Sequence, residues 1–313
     1  MELNIICKIV VLFLHVVPSV SFTTFVFGDS LVDAGNNDYL FTLSKADSPP
    51  YGIDFTPSGG QPTGRFTNGR TIADIVGQGL GAKSFPPAYL SPNTQAGEAI
   101  LGGMNYASGA SGILDETGFL FVRHDKVFPT MFIDSMISNL TIQLKRLHEL
   151  GARKMVVVGV GPLGCIPFVR AFKLLPSGEC SREVNSLIQA YNAKLKELLN
   201  RLNQEMGPES MLVFANSFDI FMKIIANYRQ YGFENADGPC CGGYFPPFIC
   251  FKSGDSKNSS AASALCSDRS KFVFWDAYHP TEAVNVIVAN ELLDGDESST
   301  SPMNIRKLYN YNS

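Results

Sequence analysis

The chain has 313 residues, 45% of them hydrophobic and 17% charged, with a formal net charge of -4. This is ordinary globular composition, long enough for one large domain or two small ones. Mild acidity without any run of Lys or Arg argues against nucleic acid as a partner. The first element is a leader. Lys8 precedes the apolar stretch from Ile9 to Val17, and Ser19-Val20-Ser21 places small residues at the -3 and -1 positions. The pattern predicts a secretory signal over residues 1–21, cleaved after Ser21 and followed by one domain over residues 22–313. The apolar core is too short to span a bilayer, which needs ~20 residues. The bland alternative is an uncleaved N-terminal anchor.

Strands and helices then alternate, which points to an α/β layered fold. Thr23 to Phe27 reads as a buried strand running into the turn Gly28-Asp29-Ser30, and a Pro- and Gly-rich loop spans Ser48 to Arg70. Thr71 to Leu80 reads as a helix. Ile133 to Leu150 reads as an amphipathic helix with Ile137, Leu140, Leu144 and Leu147 on its buried face and Gly151 as its stop. Met155 to Val160 is a strand apolar on both faces, as the interior of a parallel sheet requires. A helix from Arg182 to Met206 carries Leu187, Tyr191, Leu195, Leu198 and Leu202 on one face, and Met211 to Ala215 is the next strand. The final helix starts beside Pro280, suited to a first helical position, and runs to Leu293.

Cysteine usage fits secretion. With Cys7 in the leader, six remain: Cys165, Cys180, Cys240, Cys241, Cys250 and Cys266. An even number suggests disulfides, with Cys165 and Cys180 forming a local loop and the later cluster pairing within itself. A zinc site is disfavoured, because His124 and His148 lack ligand-like spacing to any cysteine. Asn139 and Asn258 head the sequons Asn139-Leu140-Thr141 and Asn258-Ser259-Ser260, and Asn258 lies in the better loop for glycosylation.

The chemistry rests on the two ends of the chain. Ser30 follows a strand at a turn, where its oxygen is exposed at the carboxyl edge of a sheet. A serine alcohol is a poor nucleophile until a base removes its proton. Of the four histidines, His15 leaves with the leader, His148 lies in a helix among charges, and His124 lies in a polar stretch. Only His279 has an acid at short fixed spacing, Asp276, three residues earlier. In a turn that spacing lets the carboxylate reach one ring nitrogen while the other faces Ser30. The structural alternatives are a plain turn with Ser30 as a helix cap and Asp276 as a helix-entry acid.

Phe27-Gly28-Asp29-Ser30-Leu31 resembles the first signature block of the plant GDSL esterase/lipases, a branch of the SGNH hydrolases. Gly103-Met104-Asn105-Tyr106-Ala107-Ser108-Gly109-Ala110 resembles the second block, and Trp275-Asp276-Ala277-Tyr278-His279-Pro280 the last. Gly161-Pro162-Leu163-Gly164-Cys165-Ile166-Pro167 and Gly238-Pro239-Cys240-Cys241-Gly242 resemble segments between them. The resemblance implies a three-layer α/β/α sandwich of flavodoxin-like type with a mostly parallel sheet. It implies ester hydrolysis with Ser30 as nucleophile, His279 as base and Asp276 as acid, and no cofactor. The N–H groups of Ser30 and Gly109 correspond to two of three oxyanion donors. The implied substrates are acyl esters of lipids, cutin-like polymers or acetylated cell-wall sugars, and the implied state is a secreted monomer.

One block is missing. The family's third block is a strand ending in Gly-x-Asn-Asp, whose Asn is the third oxyanion donor. It belongs between Gly118 and Ile133, where only Phe119 to Phe132 stands. Several tens of residues, including one central strand, are absent, through a shortened variant or an incomplete reading of the gene. The second function class is therefore a catalytically impaired or non-catalytic secreted relative. Gly159-Val160-Gly161-Pro162-Leu163-Gly164 mimics a dinucleotide fingerprint, but Cys165-Ile166-Pro167 stands where the phosphate-binding helix should begin. Tyr244-Phe245-Pro246-Pro247-Phe248 could contact acyl chains or pack under a disulfide loop.

Overall fold

In the computed structural model, residues 23–94, 102–114, 129–243, 250 and 265–311 are described. The elements in chain order are β1 (Thr24–Val26), α1 (Ile72–Gly79), β2 (Gly103–Asn105), α2 (Pro129–Glu149), β3 (Lys154–Val158), α3 (Pro167–Phe172) and α4 (Arg182–Glu205). They continue with β4 (Met211–Ala215), α5 (Ser217–Ala226), β5 (Asn235–Pro239), β6 (Phe272–Phe274), α6 (Glu282–Asp294), β7 (Thr300–Ser301) and α7 (Ile305–Tyr309). The leader, Asn258 and the Tyr244–Phe248 segment lie outside the described residues, as do His124 and Phe119 to Phe128.

Local chemistry explains the boundaries. Thr71 caps α1 and forms a capping box with Asp74, whose carboxylate also takes two bonds from the buried Arg65 guanidinium, at 2.7 and 3.0 Å. At the end of α2 the Ala152 N–H reaches the Leu147 carbonyl and the Gly151 N–H the His148 carbonyl. This is a Schellman closure, and it requires the left-handed backbone that Gly151 adopts at φ 103°. Ser181 caps α4, and Thr281 caps α6. Pro280 thus precedes the cap and is not the first helical residue. Leu187 is also exposed, contrary to expectation. The buried face of α4 runs through Ile188, Tyr191, Leu195, Leu198 and Leu202, and Leu187 lies about 100° round the helix from Ile188.

The strands form three small, mostly parallel sheets among the described residues. β1 pairs in parallel with β2, β3 pairs in parallel with β4, and β5 pairs in parallel with β6; β7 adds antiparallel to β4. The expected fold was a mostly parallel sheet lacking one central strand; the strands are mostly parallel, and among the described residues they stand in three separate sheets. The strand at Met155 was expected to be buried on both faces. In the structure only the Met155 and Val157 side faces the core, while Val156 and Val158 are 36% and 53% exposed. β3 has β4 as its only strand neighbour among the described residues.

Three apolar clusters hold the chain. One joins α2 and α4 to β3 and β4, through Leu144, Leu195, Leu198, Leu202 and Leu212. A second packs α5 and α6 around β6, through Ile224, Val273, Val284, Val288 and Leu292. The third is small: Tyr51, Phe66 and Trp275 against Cys240, Cys241 and Cys250. Disulfides join Cys165 to Cys180, Cys240 to Cys266 and Cys241 to Cys250, so the late cluster does pair within itself. The glycine run after β3 leads into a turn at Leu163–Cys165 and then α3, so a helix does follow. It has only six residues. The Gly164 N–H is bonded to Asn185 Oδ1.

Candidate active site

The site is built from three turns. After β1, the Asp29 carbonyl accepts from the Val32 and Asp33 N–H groups, and the Asp29 carboxylate accepts from the Leu31 N–H at 2.9 Å. This tight turn holds Ser30 half-buried at its bend. Asp33, fully buried, closes the next turn by accepting from the Gly35 and Asn36 N–H groups at 2.7 and 2.8 Å. Gly35 is required here: φ is 118°, and a Cβ would lie 2.4 Å from the Thr63 carbonyl oxygen.

Asn36 and Asn37 stitch this turn to the segment after β2. Asn36 Nδ2 donates to the Asn105 and Ala107 carbonyls, and Asn37 Nδ2 donates to the Gly109 carbonyl, all at 2.8 Å. Asn105 returns a bond to the Val32 carbonyl at 2.7 Å. The Gly109 N–H is engaged: it donates to Asp33 Oδ2 at 2.9 Å. Burial pushes the Asp33 carboxyl above its ordinary value, against the four backbone bonds that pull it down.

The third turn follows β6. Asp276 is 1% exposed, and its Oδ1 accepts the N–H groups of Tyr278 and His279, both at 2.8 Å. The same carboxylate takes His279 Nδ1 at 2.8 Å from each of its oxygens. With Nδ1 as donor, Nε2 is the acceptor, and Ser30 Oγ lies 2.7 Å from it. Residues 249 positions apart are thus in hydrogen-bond contact. The Trp275 N–H donates to the His279 carbonyl at 2.7 Å, which pins the turn, and Phe66 packs on the imidazole at 5.2 Å between ring centres.

The sequence reading named Ser30, Asp276 and His279, and the three side chains meet. Asn139 lies in α2, where its amide donates to the Ser135 carbonyl. Three further residues were not singled out. Tyr51 donates to Asp276 Oδ2 at 2.8 Å, Asp33 holds the Gly109 N–H, and Phe66 walls the imidazole. Only the isolated tyrosine in Pro49-Pro50-Tyr51-Gly52 and the Asp33-Ala34-Gly35 turn pattern could have signalled two of them. Among the described residues, no group of three or more His, Cys, Asp or Glu is placed to hold a metal. No helix among them is long and apolar enough to cross a membrane.

A serine, imidazole and carboxylate in hydrogen-bonded series can activate an alcohol for attack on an acyl carbon. Comparison with known proteins points the same way. The profile of the GDSL-like lipase/acylhydrolase family matches residues 124–292, more than half of the chain. GDSL esterase/lipase At5g41890 of Arabidopsis thaliana is 53% identical over 348 aligned positions, covering 92% of this chain and 93% of the relative. GDSL esterase/lipase At4g16230 of the same plant is 44% identical, covering 91% and 90%. GDSL esterase/lipase At3g50400 is 42% identical, covering 91% and 90%.

The first of these alignments also measures a deficit. Ninety-two per cent of 313 residues is about 288, so about 60 of the 348 aligned positions hold a residue of the relative and none of this chain. The profile match begins at residue 124, inside the interval that the sequence marks as short. With relatives this similar over nine-tenths of its length, the chain belongs to the GDSL esterase/lipase family of carboxylic ester hydrolases.

Proposed function

We propose that the chain is a secreted serine esterase/lipase that works through an acyl-enzyme on Ser30. The observation that carries this reading is the 2.7 Å approach of Ser30 Oγ to His279 Nε2, with Asp276 on the far ring nitrogen. His279 takes the Ser30 proton as Oγ attacks the ester carbonyl, and Asp276 stabilises the resulting imidazolium. His279 then gives that proton to the departing alcohol. Water, deprotonated by the same imidazole, releases the acid from Ser30. The oxyanion is met by the Ser30 N–H, which has no partner among the described residues, and by the Gly109 N–H, which shares its hydrogen with Asp33.

Substrates in this reading are acyl esters of lipids, cutin-like polymers or acetylated cell-wall sugars. A signal over residues 1–21, a domain over 22–313 folded on the three-layer sandwich plan, glycosylation at Asn139 and Asn258, and a monomeric state complete the proposal. The three disulfides fit an oxidising compartment.

A second reading, an impaired relative, is favoured by the deficit of about 60 positions and by the exposure of Phe25 on β1 and of Val156 and Val158 on β3. Loss of one oxyanion donor costs roughly 10²–10³ in turnover and leaves a slow enzyme. The test is labelling of the monomeric fraction by a fluorophosphonate, with Ser30→Ala alongside. Labelling of the parent alone supports the esterase. A folded monomer that stays unlabelled supports the impaired relative.

A further inference from the structure

We infer that Tyr51 is a positioning residue for the Asp276–His279 pair, setting the pH range in which His279 can act as base. The inference rests on the proposed esterase mechanism and deepens it. Tyr51 lies 225 residues from Asp276 in sequence, yet its phenol donates to Asp276 Oδ2 at 2.8 Å. It is buried, wedged edge-on between Phe66 and Trp275 at 6.2 and 6.1 Å between ring centres. The phenol oxygen also accepts the N–H of Cys250, a residue tied by its disulfide to Cys241. The Cys241 N–H in turn donates to the Trp275 carbonyl at 2.7 Å. A backbone donor on its oxygen polarises the phenol and makes it a better donor to the carboxylate.

The two oxygens of Asp276 are held differently. Oδ1 carries two backbone N–H groups from its own turn, and those bonds fix only one end of the carboxylate. Oδ2 has Tyr51 as its partner besides the imidazole. Without the phenol, Oδ2 loses a donor, and the charge of the carboxylate falls more fully on the imidazole. A more basic carboxylate holds the imidazolium more tightly, so His279 would become neutral only at higher pH. Among the described residues, the other titratable or hydroxyl groups facing the pair are Ser30 from the turn after β1 and Tyr278 from the intervening turn, its ring 6.1 Å from the imidazole. Burial, with Asp276 adding to it, pushes the Tyr278 phenol up to about 12 and holds Tyr51 well above the ordinary tyrosine range. Both phenols therefore stay protonated in the neutral range, and Cys241 and Cys250 are bonded to each other.

The test is the pH dependence of fluorophosphonate labelling in the parent and in Tyr51→Phe, beside an NMR titration of the His279 ring. The expected result is an acid limb about half to one pH unit higher in the variant, with the ring titration moving the same way. The plateau rate should fall by roughly three- to tenfold. A folded Tyr51→Phe protein with an unmoved limb and an unmoved ring titration overturns the inference. If that variant does not fold, 3-fluorotyrosine at position 51 keeps the ring and strengthens the donor. The limb should then move down, and no movement overturns the role. A parent that never labels sinks the esterase reading alone, because the ring titration still decides what Tyr51 does.

Discussion

The turn around His279 and the apolar faces of β1 and β3 are opposite cases in one molecule. In the turn, both oxygens of a buried carboxylate are bonded, and the imidazole is packed against Phe66. Phe25 on β1 and Phe27 just past its end are 46% and 54% exposed, with the Tyr106 ring stacked near them, and on β3 Val156 and Val158 are 36% and 53% exposed. The difference teaches that the site and the sheet are stabilised by separate sets of contacts. Ser30, Asp276 and His279 are held by bonds within the turns after β1, β2 and β6 and by Tyr51 from the loop before α1, and all of those residues are present. The relative that is 53% identical has about 60 aligned positions with no residue of this chain opposite them.

The largest expected effect comes from filling that deficit. Grafting the corresponding segment of the 53% identical relative between Leu114 and Pro129 should cover both faces. Three or four aliphatic side chains buried at ~1.5–3 kcal/mol each predict a gain of about 5 kcal/mol or more in denaturant unfolding. An unchanged midpoint would break the link between the deficit and the exposed side chains.

Next comes the other member of the comparison. Asp276→Asn should slow labelling by about 10³–10⁴-fold while leaving the circular dichroism unchanged, since the imidazole would adopt the wrong tautomer. A small loss of rate would mean that the turn does not act as the geometry suggests.

A pair of valines sharpens the contrast within one sheet. Val213 on β4 is fully buried, so Val213→Ala should cost about 2–3 kcal/mol in urea unfolding. Val156→Thr, on its partner strand β3, should stay within about 0.5 kcal/mol of the parent. Equal costs would show that the outer face of β3 is covered in solution.

The smallest effect is electrostatic. Burial, with Asp47 and Asp33 repelling it, pushes Asp38 from 3.8 up to about 6, and its Oδ1 is without a partner. A carboxyl raised on folding favours the folded state below its ordinary value, and that contribution is lost as pH rises through about 6. Asp38→Asn should therefore stabilise the protein at pH 7.5 by about 1 kcal/mol, allowing for solvent screening of a partly exposed group. At pH 4 it should stabilise little, and equal gains at both pH values would refute the assignment.

Sequence alone determined the local parts of this protein. The spacing of leucines placed α4, the Gly151 stop closed α2, and the three-residue interval from Asp276 to His279 fixed the carboxylate on its imidazole. Each depends on neighbours within one or two turns, and helical and turn periodicities carry that information directly. The serine at its turn and the one histidine with a nearby acid paired Ser30 with His279, and the family resemblance added the expectation of a third block. Tertiary structure decided the rest. Tyr51 reaches Asp276 across 225 residues, Arg65 is buried against Asp74, and the Gly109 N–H is taken by Asp33. The sheet faces also depended on it: an apolar strand reads as interior in any sequence, but only the layers packed against it determine whether both of its faces are covered.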